Sequence, residues 1–249
     1  DSTQGWLVTD SGLQTDAPTP QFITATGGTI TTVCTNFKVH TFTGPGTFTV
    51  CTVGNAAGSN TVDYLVVAGG GSGGAANGGG GGGGAGGFRL ANTTCMSAPL
   101  TSPLAASTAL PVTATGFPIT VGAGGASRTG AGQGTTGSNS IFSTITSAGG
   151  GGGGGAQPNG TASGLPGGSG GAEGGQSAAG TVGAGNTPPV SPPQGNPGGD
   201  TNPSFETNHG SGGGGAGAAG SSNGPPSTQA GPGGVGSFVV QTGFAGCNG

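Results

Sequence analysis

Residues 61–87 read TVDYLVVAGGGSGGAANGGGGGGGAGG, an apolar run that passes directly into near-pure glycine. The same order recurs as PITVGAGG ending at Gly125 and as SIFSTITSAGGGGGGG ending at Gly155. Residues 62–67 are apolar at successive positions after Asp63, which predicts a central β-strand covered on both faces. Three strands that each run into glycine imply an ordered object. They also predict that the three strand ends lie together on one side of the sheet.

Glycine makes up 66 of the 249 residues. Leu, Ile, Val and Phe together number only 38, short of the ~20% at which a conventional core becomes doubtful. Disorder normally also needs high net charge, and here only 4% of residues are charged, for a net charge of −4. Little repulsion holds such a chain open. With only Lys38, Arg89 and Arg128 as cations, no footprint for a phosphate backbone exists, so nucleic acid is not expected as a partner. No run of 18 apolar residues is present, so membrane insertion is not expected either.

Glycine does not fall at every third position, which excludes a collagen helix. Flexible linkers usually mix glycine with serine and join domains, whereas residues 78–84 and 149–155 are uninterrupted glycine. The remaining reading is packed polyproline-II helices of glycine. That helix has three residues per turn and no internal hydrogen bonds, so every N–H and C=O points outward to a neighbour. Without Cβ atoms such helices approach closely enough to bond one another, and a seven-residue tract spans ~22 Å. Glycine loses more freedom on folding than any other residue, so the tracts need anchoring, which the strands supply.

The expected fold is therefore all-β: a small β-sandwich base with packed polyglycine-II helices and essentially no α-helix. Residues 1–20 read as an extended arm, with Trp6 and Leu7 as its subunit-contact pair, and residues 21–249 as one glycine-rich domain. Within the base, strands are expected over 21–26, 29–33, 37–43, 47–53, 110–114, 117–121, 140–147 and 237–242. The loop Gly44-Pro45-Gly46 predicts a hairpin between 37–43 and 47–53, and Thr115-Gly116 predicts a second one. Residues 185–208, GNTPPVSPPQGNPGGDTNPSFETN, read as a proline-rich loop.

Cys34, Cys51, Cys95 and Cys247 allow three pairings. An even count in a thin-cored chain fits disulfides in an oxidising compartment; four free thiols is the alternative. Cys34 with Cys51, flanking the first hairpin, and Cys95 with Cys247 is the preferred set. No spacing suits zinc, and no cofactor is expected. The chain starts at Asp1 without methionine, which suggests a processed form. Gly69-x-Gly71-x-x-Gly74 matches a dinucleotide fingerprint but lacks the following helix and acidic residue, and the two G-x-S-x-G matches lack a helix. His40 reads as a solvent-face or core-edge strand residue. Pro193, Asp200, Phe205, Glu206 and His209 form a candidate ligand loop. Asn92 and Asn159 open formal glycosylation sequons.

The run GGTITTVCTNFKVHTFTGPGTFTVCTVGNAAGSNTVDYLVVAGGGSGG, followed by GGGGGGGAGGFR, PITVGAGG, SNSIFSTITSAGGGGGG and TPPVSPPQGNPGG, resembles the glycine-rich domain of bacteriophage tail-fibre and related surface proteins. The resemblance extends from about Gly27 to about Gly236. It implies an extracellular or virion-surface fibre domain, non-enzymatic, built as a polyglycine-II sandwich. The cysteines and the lack of a long shaft depart from that pattern and favour a small secreted subunit that forms a homo-oligomer or polymer. The alternative is an adhesin that binds a cell-surface glycan or protein receptor through loops 98–108 and 185–208. Ice binding by a flat slab is a third, lesser reading.

Overall fold

A computed structural model describes residues 18–33, 37–75, 79–92, 102–155, 161–175, 180–201, 209–222 and 229–239. Among them there is no helix, and the regular elements are all strands. They run β1 Thr24–Thr26, β2 Thr29–Val33, β3 Phe37–Thr41, β4 Gly46–Thr52, β5 Thr61–Val62, β6 Tyr64–Val67 and β7 Phe88–Ala91. β8 Ala105–Ala106, β9 Leu110–Pro111, β10 Gly116–Thr120, β11 Ser140–Phe142 and β12 Ile145–Ser147 follow. The main sheet has the order β1-β4-β10-β11-β12, and a second sheet has the order β6-β7-β8.

The core lies between these two sheets. Alternation in β4 turns Phe48 and Val50 inward, and in β6 it turns Tyr64 and Val66 inward, where they meet Ala91, Val112 and Phe142. Register places Phe48 opposite Phe117 and Ile119 opposite Phe142. Phe48, Phe117 and Phe142 accordingly form an aromatic cluster, with Phe48 and Phe142 edge-to-face at 5.8 Å. His40 stands at the edge of this cluster, 5.0 Å from the Phe48 ring, and its Nδ1 pairs with the Gly27 carbonyl at 2.8 Å. Gly27 has φ +104°, and a Cβ there would crowd the Thr47 carbonyl. Gly27→Ala is expected to cost ~2 kcal/mol through backbone strain, measured as a shift in the urea midpoint.

Several expected pairings are corrected. β3 pairs with β2, and β4 pairs with β1 and β10, so 37–43 and 47–53 do not form a hairpin. Both edges of β4 are occupied, and Gly44-Pro45-Gly46 carries the chain from one sheet to the other. The second expected hairpin fails likewise: β9 pairs with β5, whereas β10 pairs with β4 and β11. Residues 140–147 are two strands, not one, reversed at Ser143, which has φ +54°. The expected central strand 62–67 divides at Asp63, and its second half, β6, is an edge strand with Val67 49% exposed. Residues 237–239 are not a strand, and 240–242 lie outside the described residues.

Candidate functional site

Past the strands, the chain runs back and forth across a slab. Tracts 68–75, 121–125, 148–155, 169–175, 194–201 and 218–222 lead away from the sheets, and 79–87, 132–139, 161–168, 180–184, 209–216 and 229–235 return. Directions follow from the bonds: Gly71 and Gly74 donate to Gly84 and Gly81, an antiparallel pair, whereas Gly150 and Gly153 donate to Gly69 and Ser72, a parallel pair. Bonds to one neighbour recur every three residues, and positive φ among described slab glycines is confined to Gly79 and Gly132. This is the polyproline-II helix.

Tract 169–175 shows the lattice completely. Ser169 and Ala172 donate to 79–87, Gly170 and Glu173 to 194–201, and Gly171 and Gly174 to 161–168. Its carbonyls accept from 148–155, 180–184 and 209–216. Three donor faces and three acceptor faces make six neighbours, and every residue from Gly167 to Gly175 is buried. Because φ is negative here, glycine is needed for space, not for dihedral freedom. A Cβ on Gly151, Gly154 or Gly171 would come within 3.0 Å of a neighbouring carbonyl, closer than real Cβ atoms stand. Ala172 and Ser169 fit where the lattice leaves room, although the Ser169 hydroxyl is buried without a partner among the described residues.

The three strand ends do lie together: Gly150 donates to Gly69, Gly69 to Ser138, Ser138 to Ala123 and Gly125 to Gly70. Buried polar side chains stitch this seam. Ser140 Oγ donates to the Val67 carbonyl at 2.8 Å and accepts from the Gly122 amide at 2.9 Å. Ser147 Oγ donates to the Gly87 carbonyl. Gln194, fully buried, accepts from the Ala148 amide at 2.8 Å through Oε1 and donates to the Pro188 carbonyl at 2.9 Å through Nε2. None of these three stands out in the sequence. A serine bordering a strand and one amide in a proline-rich loop carry no periodic signal.

The expected ligand loop is divided. Residues 185–193 turn at the strand side of the slab, held by Asn186 Oδ1, which accepts from the Val190 and Gln194 amides. Residues 194–201 are a tract, not loop. Pro193 and Asp200 therefore stand ~22 Å apart along it. Asp200 and His209 flank the opposite, far edge, and Phe205 and Glu206 lie outside the described residues. Loop 98–108 is also modified, because Ala105–Ala106 form β8 beside β7 and Ser102 is buried. Asn92 is buried at the end of β7, and Cys51 is an exposed free thiol. Trp6, Leu7, Cys34, Cys95, Cys247 and Asn159 lie outside the described residues.

At the far edge, Glu173 is 2% exposed. Burial, foremost, and a hydrogen bond with the Asp200 carboxyl hold its carboxyl above the ordinary value, against the pull of the Thr201 amide on Oε2 at 3.0 Å. A raised folded-state value favours the protonated form in the folded chain. The stability it contributes is thus fully present below about 4.5, the ordinary value, and falls as pH rises through the folded value. Glu173→Gln is expected to flatten this dependence and to raise stability at neutral pH, read from urea unfolding across the acidic range.

Among the described residues, no cluster of three metal-ligating side chains exists, and no helix is long and apolar enough to cross a membrane. The molecule is thus an all-β base carrying a slab of backbone-bonded polyglycine helices. The glycine-rich domain family model matches residues 42–249, and the chain belongs to that family. No curated protein and no solved structure matches it.

Proposed function

We propose that this chain is a non-enzymatic structural subunit of an extracellular fibre or filament, assembling through its β-rich base and N-terminal arm. The observation that carries this reading is the slab itself. Its mass is committed to a rigid lattice of backbone bonds anchored on two sheets, an arrangement that supplies stiffness in place of a reaction centre. Phe22, Ile30 and Val53 are exposed on the base and offer apolar surface to a neighbouring subunit. The extracellular or virion-surface location rests on the resemblance to fibre domains. Purified chain is expected to form filaments visible by negative-stain electron microscopy, and a chain lacking residues 1–20 is expected to lose them. Compact monodisperse particles from the intact chain would overturn the structural reading, and filaments from the shortened chain would overturn the role of the arm.

A second reading, a tail-fibre-like adhesin, is favoured by one feature. The six outgoing tracts end, and their returns begin, at the far edge. Binding residues gather on loops held by rigid scaffolds. A cell-surface glycan or protein is the partner such an edge would take. Replacing residues 202–208 with a Gly-Ser linker is then expected to abolish binding to receptor-bearing cells, whereas replacing 187–192, on the strand side, is expected to leave it. Unchanged binding after the first replacement rejects this reading.

A further inference from the structure

Tract 209–216 bonds to five neighbours among the described residues, one fewer than 169–175. It donates to 169–175 through Ser211 and Gly214 and to 218–222 through Gly212 and Gly215, and it accepts from 79–87, 194–201 and 229–235. Its third donor row, Gly213 and Ala216, donates to none of the described residues, and both are buried. A buried backbone amide without a partner is costly. At the sixth position lies a groove of about 410 Å³, walled by 83–86 and by Gly233, Gly234 and Gly236, with Val67 and Phe88 at its strand end. Donor and acceptor rows alternate around each helix, so the walls turn carbonyls toward the groove. Those of Gly83 and Gly86 on one wall, and of Gly231 and Gly234 on the other, accept from none of the described residues. No charged side chain lines it.

We propose that this groove receives an extended segment of a partner protein, in the polyproline-II conformation and with glycine at every third position. Such a backbone answers the groove's hydrogen-bonding pattern. It turns one carbonyl row to the floor amides and two amide rows to the wall carbonyls, at the three-residue period that the floor and walls share. The direction of Cβ in this lattice fixes the sequence. Every third residue aims its Cβ at the same neighbour: at Gly210 and Gly213 it would strike the Gly80 and Gly83 carbonyls, and at Gly212 and Gly215 those of Pro232 and Gly234. A segment enclosed on three of six sides therefore meets a neighbour through one row, the one aimed at the floor, and turns the other two outward. Glycine is required in that row. The residue after it needs an amide for the second wall. The third faces outward with both amide and side chain, so proline is admitted there and presets the helix, which lowers the cost of ordering the segment. The uncharged lining favours an uncharged ligand.

Titration calorimetry of the intact protein with acetyl-(Gly-Ala-Pro)3-amide, which spans ~28 Å in this helix, tests the proposal. Binding is expected, and saturating peptide is expected to slow amide exchange at Gly213 and Ala216 at least ~10-fold while leaving Gly151 unchanged. The (Ala-Ala-Pro)3 peptide, without glycine, and the (Gly-Pro-Pro)3 peptide, without the second amide row, are expected to bind at least ~10-fold more weakly. Gly233 and Gly236 line the groove with room for a Cβ, so a Gly233→Leu/Gly236→Leu protein is expected to fold and to lose binding. Gly73→Leu, at an exposed position outside the groove, is expected to keep it. No binding by the intact protein overturns the proposal. Equal binding of the three peptides, or binding undiminished in the Gly233→Leu/Gly236→Leu protein, does so as well. Protection of Gly213 and Ala216 that rises with protein concentration in the absence of peptide also overturns it and assigns the groove to a second copy.

Discussion

Gly154→Ala is expected to cost ~3 kcal/mol or more, the upper end of the overpacking range. One added methyl group would ordinarily be harmless in a residue with negative φ, and at a compatible site Gly→Ala gains ~0.4–1 kcal/mol by restricting the unfolded chain. At Gly154 the Cβ would instead crowd the Ala162 carbonyl oxygen and the Gly174 amide inside 3.0 Å. Those groups are bonded to one another and to further tracts, so relief at one bond displaces the next. For a chain of this size the loss corresponds to ~10 °C in the unfolding temperature. Gly73→Ala is the matched comparison. Its Cβ would meet nothing closer than the Gly81 carbonyl at 3.5 Å, and the residue is exposed. That variant is expected to be neutral or slightly stabilised. Equal effects at the two positions would show that glycine serves the slab through flexibility, and not through the space it leaves.

The contrast explains what could be read from the residues. The strand-to-glycine seams at Val67, Val121 and Ala148 were legible because an apolar run and a Cβ-free run adjoin there, and the lattice needs both. Mixed tracts were not legible. Residues 133–139, QGTTGSN, occupy a lattice position as fully as pure glycine does, since side chains are excluded only from faces where a neighbour stands. Polyproline-II helices show no hydrophobic period, so no pattern marked this segment or 194–201. β7 was missed for a related reason. Phe88–Ala91 is four residues long and follows directly on glycine, too short to display alternation. The failed hairpins arose because turn chemistry at Gly44-Pro45-Gly46 specifies a reversal, whereas strand partners are set by which edges remain unpaired.

The candidate site shows the same division. Trp6, Phe205 and Glu206 stand out in the sequence as large or charged residues in polar stretches, a reading that depends on loops being exposed. Asp200 does reach the far edge, but its partner there is Glu173, a residue inside a glycine-rich tract that gave no sign of burial. Pro193 belongs to the strand side because the tract beginning at Gln194 crosses the slab before Asp200 is reached. A proline-rich segment with scattered charge reads as one loop. Only the lattice reveals that it is a turn, a crossing and an edge.

Gln194→Leu is expected to lower stability by ~2–4 kcal/mol, although the two side chains are similar in volume. Gln194 is fully buried where three parts of the fold meet. Its Oε1 accepts from Ala148 at the end of β12, its Nε2 donates to Pro188 of the strand-side turn, and its carbonyl accepts from Phe88 at the start of β7. Leucine keeps the last of these and removes the first two. The Ala148 amide would remain buried without an acceptor, and each such orphan costs ~1–3 kcal/mol. Ser147→Ala removes a neighbouring bond, from Ser147 Oγ to the Gly87 carbonyl, and is expected to cost ~1 kcal/mol, because that carbonyl still accepts from the Ala68 amide. The double variant is expected to fall short of the sum, since both bonds hold the same entry into β7 and groups in one network couple. Urea unfolding of the four proteins measures this. A Gln194→Leu protein as stable as the parent would mean that the seam is held by the glycine bonds alone, with the buried side chains incidental to it.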